Sequence, residues 1–341
     1  MTSIHQQVKD YYENTLTSSK DLKTNACCTP SSVDPVHQSL LDKIIPDVSN
    51  TYYGCGVLLP AELNGKTVLD LGCGSGRDVY LLSQCVGPEG QVIGVDMTDG
   101  QLDIARQSIL PQMKAFGFKE PNVRFLKGYI EDLHECGISS QSIDVVISNC
   151  VINLSPQKQS VFNEIYRILK PGGELYFSDI FVNRRISELL QQDPVLYGEC
   201  LSGAIYSNDL RRLLRLAGFL DFNYVSQRNL AINSPEISKV LSDYAFTSSV
   251  VRAFKLELED DQEDYGQVGI YQGTIDHYRD QFIWDQNTTF KTKQPTPISG
   301  NLARILTKSR FSPHFKIEGS QNVHYGPFKI QNKTKGKSSC C

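Results

Sequence analysis

The sequence predicts an α/β protein with a mostly parallel, doubly wound sheet, to which a smaller α+β C-terminal region is appended. From residue 66 to about residue 230, strand patterns alternate with amphipathic helix patterns, which is typical of a parallel sheet covered on both faces. A glycine-rich turn ends the first strand of this series and opens a helix. Beyond residue 234 the alternation loosens, so we expect a second, smaller region there.

The main sheet is predicted from short apolar runs that are bounded by turn residues. Its expected strands are 67–71, 91–96, 123–127, 143–148, 174–178 and 222–226. The intervening helices are predicted from apolar spacing and from residues suited to their ends. We expect helix caps or ends at Gly87, at the capping box of Thr98 and Gln101, at Ser155 with Pro156, at Gly172, at Ser207 and at Gly218.

Shorter elements are expected on either side of this sheet. Helices are predicted around 8–15, 35–45 and 234–245, and strand-like segments at 250–258, 267–271, 282–284 and 288–291. The chain therefore divides into four predicted parts. They are an N-terminal extension (1–50), a main domain (51–232), a smaller α+β domain (233–330) and a mobile basic tail (331–341).

Composition limits the class of protein. The chain has 341 residues, of which 40% are hydrophobic and 21% charged, as in ordinary globular proteins. Its net charge of −4 argues against a large nucleic-acid interface, which needs a basic face. The start lacks the apolar region of a signal peptide, and no apolar run is long enough to span a bilayer. We expect a soluble cytoplasmic protein without membrane contact.

The 10 cysteines are the unusual part of the composition. In a reducing compartment they are not expected to form a disulfide framework, so metal-binding, catalytic or buried roles remain. No C-x-x-C spacing occurs, which argues against a zinc ribbon or thioredoxin-like chemistry. Two adjacent pairs do occur, Cys27-Cys28 and Cys340-Cys341.

The turn Asp70-Leu71-Gly72-Cys73-Gly74-Ser75-Gly76 predicts a site for a cofactor that contains a nucleoside. Its glycines allow positive φ and close approach of the backbone, and Asp96 at the end of the next strand can accept both ribose hydroxyls. A nicotinamide oxidoreductase shares the G-x-G pattern, but its fingerprint needs glycine where Arg77 stands. The G-x-G-x-G spacing resembles motif I of class I S-adenosylmethionine methyltransferases, which are Rossmann-like.

Later segments agree with that resemblance. Gly128-Tyr129-Ile130-Glu131-Asp132 follows the third strand, where these enzymes place an acidic residue against adenine, and Leu169-Lys170-Pro171-Gly172-Gly173 is similar to their turn before the fifth strand. The segment that leaves the fourth strand, Ser148-Asn149-Cys150-Val151-Ile152-Asn153-Leu154, faces the reactive methyl in such a sheet. Amino-methylating relatives often carry Asn-Pro-Pro-Tyr there. Cys150 therefore indicates a different acceptor, or else a small packing residue.

Three motifs together resemble the arsenite methyltransferase family. They are Tyr53-Gly54-Cys55-Gly56, Asn149-Cys150-Val151-Ile152-Asn153 and Gly198-Glu199-Cys200-Leu201-Ser202-Gly203-Ala204. The vicinal pair Cys27-Cys28 fits the family as well. So does the distal run from Tyr271-Gln272-Gly273-Thr274-Ile275 through Asn287-Thr288-Thr289-Phe290-Lys291 to Ser309-Arg310-Phe311. The resemblance covers nearly the whole chain and is weakest in the tail.

The resemblance implies a role for each motif. Cys150 and Cys200 would hold arsenic(III) with Cys55 completing the set, while Cys28 or Cys27 would act in a thiol relay or in turnover to a disulfide. An external thiol, glutathione or thioredoxin, would restore the reduced enzyme. The substrate would be arsenite or its glutathione conjugate, methylated once or twice, and we expect a monomer. The residues implied for S-adenosylmethionine are Tyr53, Asp70, Gly72, Cys73, Gly74, Gly76, Asp96, Met97, Ile130, Glu131 and Asn149.

The chemistry of arsenic agrees with such a site. Arsenic(III) is thiophilic, and three thiolates leave it one outward lone pair that can attack a sulfonium methyl without a general base. Tyr53 is expected either to face the sulfonium or to pack in the core. Cys73 is expected to be structural, and Cys85 and Cys136 to have no catalytic role. The alternatives are a methyltransferase for another small molecule, a cysteine-based metalloid-binding protein and a nicotinamide oxidoreductase.

Overall fold

The computed structural model describes residues 4–12, 24, 35–52, 54 and 56–329. Cys27, Cys28, Tyr53, Cys55 and the tail with Cys340-Cys341 therefore lie outside the described residues. The chain forms two compact units, Met1–Leu256 and Glu257–Cys341. No helix within the described ranges combines the length and the apolar character that a bilayer crossing requires.

The helices of the first unit begin before the sheet and then alternate with its strands. The first three are α1 (Ile4–Asp10), α2 (Pro35–Leu41) and α3 (Pro46–Ser49). Those that follow are α4 (Arg77–Val86), α5 (Asp99–Gln107), α6 (Ile109–Phe116), α7 (Lys158–Ile168), α8 (Glu188–Gln191), α9 (Pro194–Gly198), α10 (Ser207–Ala217) and α11 (Pro235–Val240).

One sheet organises the first unit. Its strands are β1 (Thr67–Leu71), β2 (Gln91–Asp96), β3 (Val123–Lys127), β4 (Ile143–Asn149), β5 (Leu169–Val182), β6 (Ile205–Tyr206), β7 (Phe222–Leu230) and β8 (Phe246–Phe254). Their order is β3-β2-β1-β4-β5-β8-β7, with β6 beside β5. The first five in this order are parallel, whereas β8 is antiparallel to both neighbours. The predicted doubly wound, mostly parallel sheet is confirmed.

The strand order reverses between β1 and β4, and this point places the functional site. In doubly wound sheets a ligand binds in the crevice beyond the carboxyl ends of the strands at such a point. Both faces of the sheet are covered. Leu69 and Leu71 of β1 pack in one apolar layer with Phe162, while Val68 packs in the other with Tyr80.

The first unit extends further than the sequence predicts. The expected boundary lies at 232/233, whereas the structure divides the chain at 256/257. The physical reason is β8, which inserts between β5 and β7 and pairs with β5 along nine residues. β5 and β8 are more than sixty residues apart, and pairing at such a distance leaves no local pattern in the sequence. The strand-like segment at 250–258 is therefore predicted to lie in the second domain, whereas β8 belongs to the first unit.

Some predicted helix ends agree with the structure, and others differ in position or in their hydrogen bonds. Thr98 is the N-cap of α5 but makes no capping hydrogen bond, because its hydroxyl donates to Asp96 instead. The helix expected at Ser155 begins at Lys158, since the Ser155 hydroxyl donates to Glu131. The predicted C-terminal end at Gly87 is confirmed, with φ +68°. Thr98 and Ser155, whose hydroxyls donate to carboxylates, both line the cavity described below.

Two further helix ends lie at positions other than those predicted. Ser207 is the first residue of α10, so Tyr206 rather than Ser207 occupies the capping position, and Gly218 ends that helix as predicted. The helix expected to end at Gly172 ends at Ile168, and Gly172 lies within β5. The helix predicted at 8–15 lies earlier, at Ile4–Asp10, and the helix predicted at 35–45 begins at Pro35 as expected but ends at Leu41.

The second unit has its own aromatic core. It contains the strands β9 (Val268–Tyr271), β10 (Gln281–Ile283), β11 (Thr289–Lys291), β12 (Pro295–Pro297) and β13 (Phe315–Glu318), and the helix α12 (Gly300–Lys308). β9 is central in the antiparallel order β12-β9-β13, and β10 pairs with β11. Tyr271, Trp284, Phe290 and Phe311 are fully buried, which gives this small unit a core independent of the large sheet.

A buried ion pair ties β5 to β8 and provides a stability test. Arg252 Nε and Nη2 both lie 2.7 Å from Glu174 Oε1, and both side chains are nearly inaccessible to solvent. We expect Arg252→Leu to lower the free energy of unfolding by about 3–5 kcal/mol, because a buried carboxylate loses its principal partner. Urea denaturation measures the loss. Lys127→Met, which removes an exposed ion pair to Asp99, is the control and should cost about 0–1 kcal/mol. Equal losses of unfolding free energy in the two variants would contradict the assignment of Arg252 and Glu174 as a buried ion pair.

Candidate active site

The turn after β1 forms an open cradle at the switch point. Gly72, Gly74 and Gly76 all have positive φ, at +69°, +51° and +89°. A Cβ at Gly72 would lie 2.5 Å from the Val151 side chain, and one at Gly76 would lie 2.8 Å from the Phe125 ring. At Gly74 a Cβ would meet only Gln101 Oε1, at 3.8 Å. The first and third glycines are thus required by packing, while the second faces open space.

That open space is a cavity at the carboxyl ends of β1, β2 and β4. The predicted cofactor residues that line it are Asp70, Gly72, Cys73, Gly74, Asp96, Met97, Ile130, Glu131 and Asn149. Gly76 does not line it, because it packs behind the turn against Phe125. The amide oxygen of Gln101 also lines the cavity, and it has no hydrogen-bond partner among the described residues.

Asp96 fixes the shape of the cradle. Its Oδ2 accepts a hydrogen bond of 2.8 Å from Gly74 N, and its Oδ1 accepts from Thr98 N and the Thr98 hydroxyl. Burial raises the pKa of Asp96, although these donors oppose the shift. The carboxylate therefore joins the glycine turn after β1 to the end of β2 and still faces the cavity.

Three carboxylates surround one side of the cavity and favour a cationic ligand. Burial raises the pKa of Asp70 well above its ordinary value, and the charges of Asp78 and Asp96 raise it further. Asp70, Asp78 and Asp96 all line the cavity. A cation among them would relieve this repulsion, so the site is electrostatically suited to positive charge.

The N-terminal helix α1 covers another wall. His5, Val8 and Tyr12 line the cavity. His5 Nε2 lies 2.8 Å from Glu131 Oε1, which also accepts the Ser155 hydroxyl. Sequence reasoning missed these N-terminal contacts, because a short polar helix gives no sign of which surface it covers.

A hydrogen-bond network holds the Gly54 to Gly56 segment beside the cavity. Gly56 O accepts from Arg77 Nη2 at 2.7 Å and from the Tyr52 hydroxyl at 2.7 Å. The Arg77 guanidinium also stacks on the Tyr52 ring, 3.1 Å from its centroid. Gly54 packs against the Tyr52 hydroxyl without room for a Cβ, and Gly56 has φ +92°. These contacts require glycine on both sides of position 55.

Asn149 connects that network to the end of β4. Its amide donates to the Tyr52 hydroxyl at 2.6 Å and to Asp78 Oδ2 at 2.9 Å. Asp78 in turn pairs with the buried Arg77. Arg77, which in the sequence only excludes a dinucleotide fingerprint, thus has a structural role of its own in supporting the segment around Gly56.

Cys150 and Cys200 come together behind the cavity wall. Cys200 Sγ lies 3.2 Å from Cys150 O, and both residues are almost completely buried. Each has φ +60°, a left-handed conformation that is uncommon for a side chain other than glycine, asparagine or aspartate. Such backbone strain, of about 1–3 kcal/mol per residue, is concentrated at functional sites. The two predicted ligands are therefore neighbours in strained positions.

Asn153 fastens the loops that carry the two cysteines. Its amide donates to Ile180 O at 2.6 Å, and its side-chain oxygen accepts from Ile205 N at 3.2 Å. Gly203 packs on Asn153 O so closely that no side chain would fit. Asp179 accepts hydrogen bonds from Asn153 N and Ile180 N. The motif residues around each cysteine thus lock one loop to the other.

Two titratable groups lie beside this pair of loops. Burial raises the pKa of Asp179 to about 7, although backbone donors and Lys158 oppose the shift. Burial lowers the pKa of Lys158 to about 8, against the charges of Asp179, Cys200 and Glu131. Lys158 Nζ donates to Asn153 O and Ser155 O. A cationic side chain is therefore held near Cys200.

The cysteines differ in their oxidation state and in the pKa of their thiols. Cys150 is disulfide-bonded. Cys73, Cys85, Cys136 and Cys200 carry free thiols. Burial raises the pKa of Cys73 and brings that of Cys85 to about 11, and it raises the pKa of Cys136 as well. High thiol pKa values disfavour thiolate ligands at these three positions.

A complete ligand set is not visible within the described residues. In those ranges no three or more His, Cys, Asp or Glu side chains are placed to hold a metal ion. Of the three predicted arsenic ligands, Cys150 and Cys200 are brought together, and Cys55 lies outside the described residues with only its glycine neighbours placed.

Comparisons with known proteins agree along the whole chain. Residues 62–218 match a family described as "Methyltransferase domain", and residues 264–341 match one described as "Arsenite methyltransferase C-terminal domain". The chain is 46% identical to the arsenite methyltransferase of Aquipseudomonas alcaligenes, over 99% of this chain and 100% of that protein. It is 42% identical to the arsenite methyltransferase of Homo sapiens, over 92% of this chain and 84% of that protein.

A solved structure extends the agreement to three dimensions. It is the crystal structure of an arsenic(III) S-adenosylmethionine methyltransferase from Chlamydomonas reinhardtii, with a TM-score of 0.84 and 41% identity. The match covers 87% of this chain and 100% of that one.

The cradle glycines can be tested by comparing two alanine substitutions. Gly72 and Gly117 both have positive φ, but a Cβ would strike Val151 only at Gly72, since nothing lies within 4 Å at Gly117. Left-handed strain costs about 1–2 kcal/mol in both variants. We expect Gly72→Ala to lose about 1–3 kcal/mol more than Gly117→Ala in urea unfolding, because overpacking adds to the strain. Equal losses would show that Val151 yields freely and that the turn is not constrained by packing.

Proposed function

Since this chain belongs to the arsenite methyltransferase family, we propose that trivalent arsenic binds where Cys150 meets Cys200, with Cys55 as the third thiolate. The chain transfers the methyl group of S-adenosylmethionine to arsenic. The observation that supports this placement most is the 3.2 Å approach of Cys200 Sγ to Cys150 O, since Cys150 also lines the cofactor cavity. The methyl donor and the arsenic acceptor would then bind at the same wall of the cavity.

The cavity fits S-adenosylmethionine, which supplies an electrophilic methyl on a sulfonium when bound. Asp70, Asp78 and Asp96 face a cation, and Gly74 leaves room for close approach of the ligand. The unpartnered oxygen of Gln101 offers an acceptor for a hydroxyl or amine. Glu131 and Ile130 also line the cavity, and an acidic residue beside an apolar one can hold adenine.

The thiolates make arsenic the nucleophile. Three As–S bonds leave one lone pair, which would form the As–C bond as the carbon–sulfonium bond breaks and S-adenosylhomocysteine departs. Arsenic would then be formally pentavalent, and two of the cysteine thiolates would return it to the trivalent state by joining in a disulfide. No proton moves in this step, so the contribution of the chain is positioning and exclusion of water. The burial of Cys150 and Cys200 supports both contributions. Lys158 near Cys200 would favour its thiolate form.

A reductant belongs to the proposed cycle. The disulfide at Cys150 must be opened before three thiolates can bind arsenic, and two electrons from an external thiol such as glutathione or thioredoxin would open it. Cys27 or Cys28 would act in a thiol relay or form a disulfide during turnover. Arsenite or its glutathione conjugate would be the substrate, with mono- and dimethylated products.

The proposed site also suggests where and how the protein works. Thiolate ligands and a reducible disulfide need a reducing compartment, so we place the protein in the cytoplasm. The monomer implied by the family resemblance stays a prediction.

The reaction and the ligand set are tested in one assay. Purified protein is incubated with labelled S-adenosylmethionine, arsenite and glutathione, and methylated arsenicals are separated by chromatography. We expect Cys150→Ser and Cys200→Ser to lose at least about a hundredfold in activity, because a hydroxyl does not replace a thiolate on arsenic. Cys85→Ser, whose half-buried thiol donates only to Leu81 O, should retain activity. Activity of the Cys150 and Cys200 variants equal to wild type would refute the thiolate site.

Cofactor binding should depend on pH. Because the pKa of Asp70 is raised, falling pH protonates it sooner than an ordinary aspartate, and the protonated form attracts a sulfonium less. The Kd for S-adenosylmethionine should therefore rise as the pH is lowered, beginning above the range in which an ordinary aspartate is protonated, as measured by calorimetry. S-adenosylhomocysteine lacks the sulfonium charge and should show a smaller rise. Asp70→Asn should bind more weakly with a flatter profile, and identical profiles for both ligands would contradict the electrostatic account.

A further inference from the structure

We propose that Gln101 is a cofactor-binding residue that accepts a hydrogen bond from one ribose hydroxyl of S-adenosylmethionine, while Asp96 accepts one from the other hydroxyl. This inference rests on the proposed placement of that cofactor in the cavity. Gln101 lines the cavity, and its buried Oε1 has no hydrogen-bond partner among the described residues. A buried polar atom without a partner is costly in a folded protein, so a ligand that supplies a donor is expected there.

Asp96 alone has too few free acceptor positions for two ribose hydroxyls. A carboxylate has about four lone-pair positions. Three of them are already used at Asp96, because Oδ2 accepts Gly74 N at 2.8 Å, and Oδ1 accepts both Thr98 N and the Thr98 hydroxyl. The structure therefore leaves a position for one hydroxyl at Asp96 rather than for the two expected from the sequence. The other hydroxyl needs a second acceptor.

The same hydrogen bonds explain why Gln101 is left without a partner. Thr98 and Gln101 have the spacing of a capping box, in which a glutamine at N3 accepts the backbone N–H of the N-cap residue. In the structure Thr98 N donates to Asp96 Oδ1 at 2.9 Å instead. Asp96 thus takes the donor that Gln101 would otherwise use at the start of α5, and the amide oxygen of Gln101 is available to a ligand.

Gln101 and Asp96 lie beside the same glycine of the cradle. A Cβ at Gly74 would lie 3.8 Å from Gln101 Oε1, and Gly74 N donates to Asp96 Oδ2. The two acceptors are therefore close to the open middle of the turn, where the vicinal hydroxyls of a ribose offer two donors. The terminal amide torsion of glutamine is broad, so Oε1 can turn from its buried position to a hydroxyl in the cavity.

A neutral acceptor suits this wall of the cavity. Asp70, Asp78 and Asp96 all line it, and the charges of Asp78 and Asp96 already raise the pKa of Asp70. A fourth carboxylate would increase the repulsion among them, whereas an amide accepts a hydrogen bond without adding charge. Gln101 therefore selects the ligand by its hydroxyl groups, while the three carboxylates select it by its positive charge.

The test compares nucleoside ligands that lack one hydroxyl. Calorimetry measures the Kd of S-adenosylhomocysteine and of its 2′-deoxy and 3′-deoxy forms. For the wild type we expect each deoxy form to bind about tenfold more weakly than the parent, because a buried acceptor loses its donor. Gln101→Met removes the acceptor at similar length. It should bind S-adenosylhomocysteine about tenfold more weakly, and it should bind one of the two deoxy forms within about twofold of the parent, because the hydroxyl missing from that form no longer has an acceptor.

Two further variants separate the hydrogen bond from general damage. Gln101→Glu keeps an acceptor and should still bind both deoxy forms more weakly than the parent. Gln84→Met is the matched control, because the side-chain oxygen of Gln84 is also buried without a partner among the described residues, while its amide donates to Leu40 O and it is not one of the cavity-lining residues. Its three Kd values should equal those of the wild type. Methionine and glutamate are both strong helix formers, so α5 is expected to persist in the Gln101 variants.

The outcomes distinguish which claim fails. If the wild type does not bind S-adenosylhomocysteine, the placement of the cofactor fails and the inference fails with it. If the parent ligand binds but Gln101→Met distinguishes both deoxy forms as the wild type does, the cofactor placement stands and the role of Gln101 is overturned. Equal binding of all three ligands by the wild type, or loss of discrimination in Gln101→Glu as well, would also overturn it. Loss of discrimination for one deoxy form in Gln101→Met alone would support it.

Discussion

The left-handed backbone at Cys150 and Cys200 is the constraint on which the site depends. A cysteine at φ +60° is unfavourable by about 1–3 kcal/mol, and it persists only where its surroundings determine it. Here Asn153, Gly203 and Asp179 lock the two loops together, so that neither cysteine can relax independently. Two distant parts of the chain thereby meet, with the Cys200 thiol 3.2 Å from the Cys150 carbonyl oxygen.

The same constraint explains why the cofactor and the proposed arsenic site share a wall. Cys150 directly follows Asn149, the last residue of β4, and β4 lies beside β1 at the switch point of the sheet. Gly72 at the end of β1 leaves room for Val151, the residue after Cys150. The cradle and the cysteine loop are therefore packed against each other. A change in either is transmitted to the other through this contact.

Much of the fold and part of the site can be predicted from the sequence, and physical reasons explain which parts. Local periodicity and glycine spacing predict the parallel strands, the cradle and Asp96, because these depend on residues close together in the chain. The insertion of β8 between β5 and β7 depends on long-range pairing, so the domain boundary is misplaced. Thr98 and Ser155 look like helix caps, yet their hydroxyls serve Asp96 and Glu131. The role of Arg77 in holding Gly56 cannot be predicted from the sequence without the fold.

The central claim is that three thiolates hold arsenic beside the methyl donor, and X-ray absorption at the arsenic edge tests it most directly. The protein is reduced fully, the reductant is removed, and one equivalent of arsenite is added without any small thiol. The account predicts three sulfur neighbours around arsenic in the wild type, and two sulfurs with one oxygen in Cys200→Ser. Fewer than three sulfurs in the wild type, or an unchanged first coordination sphere in Cys200→Ser, would contradict it.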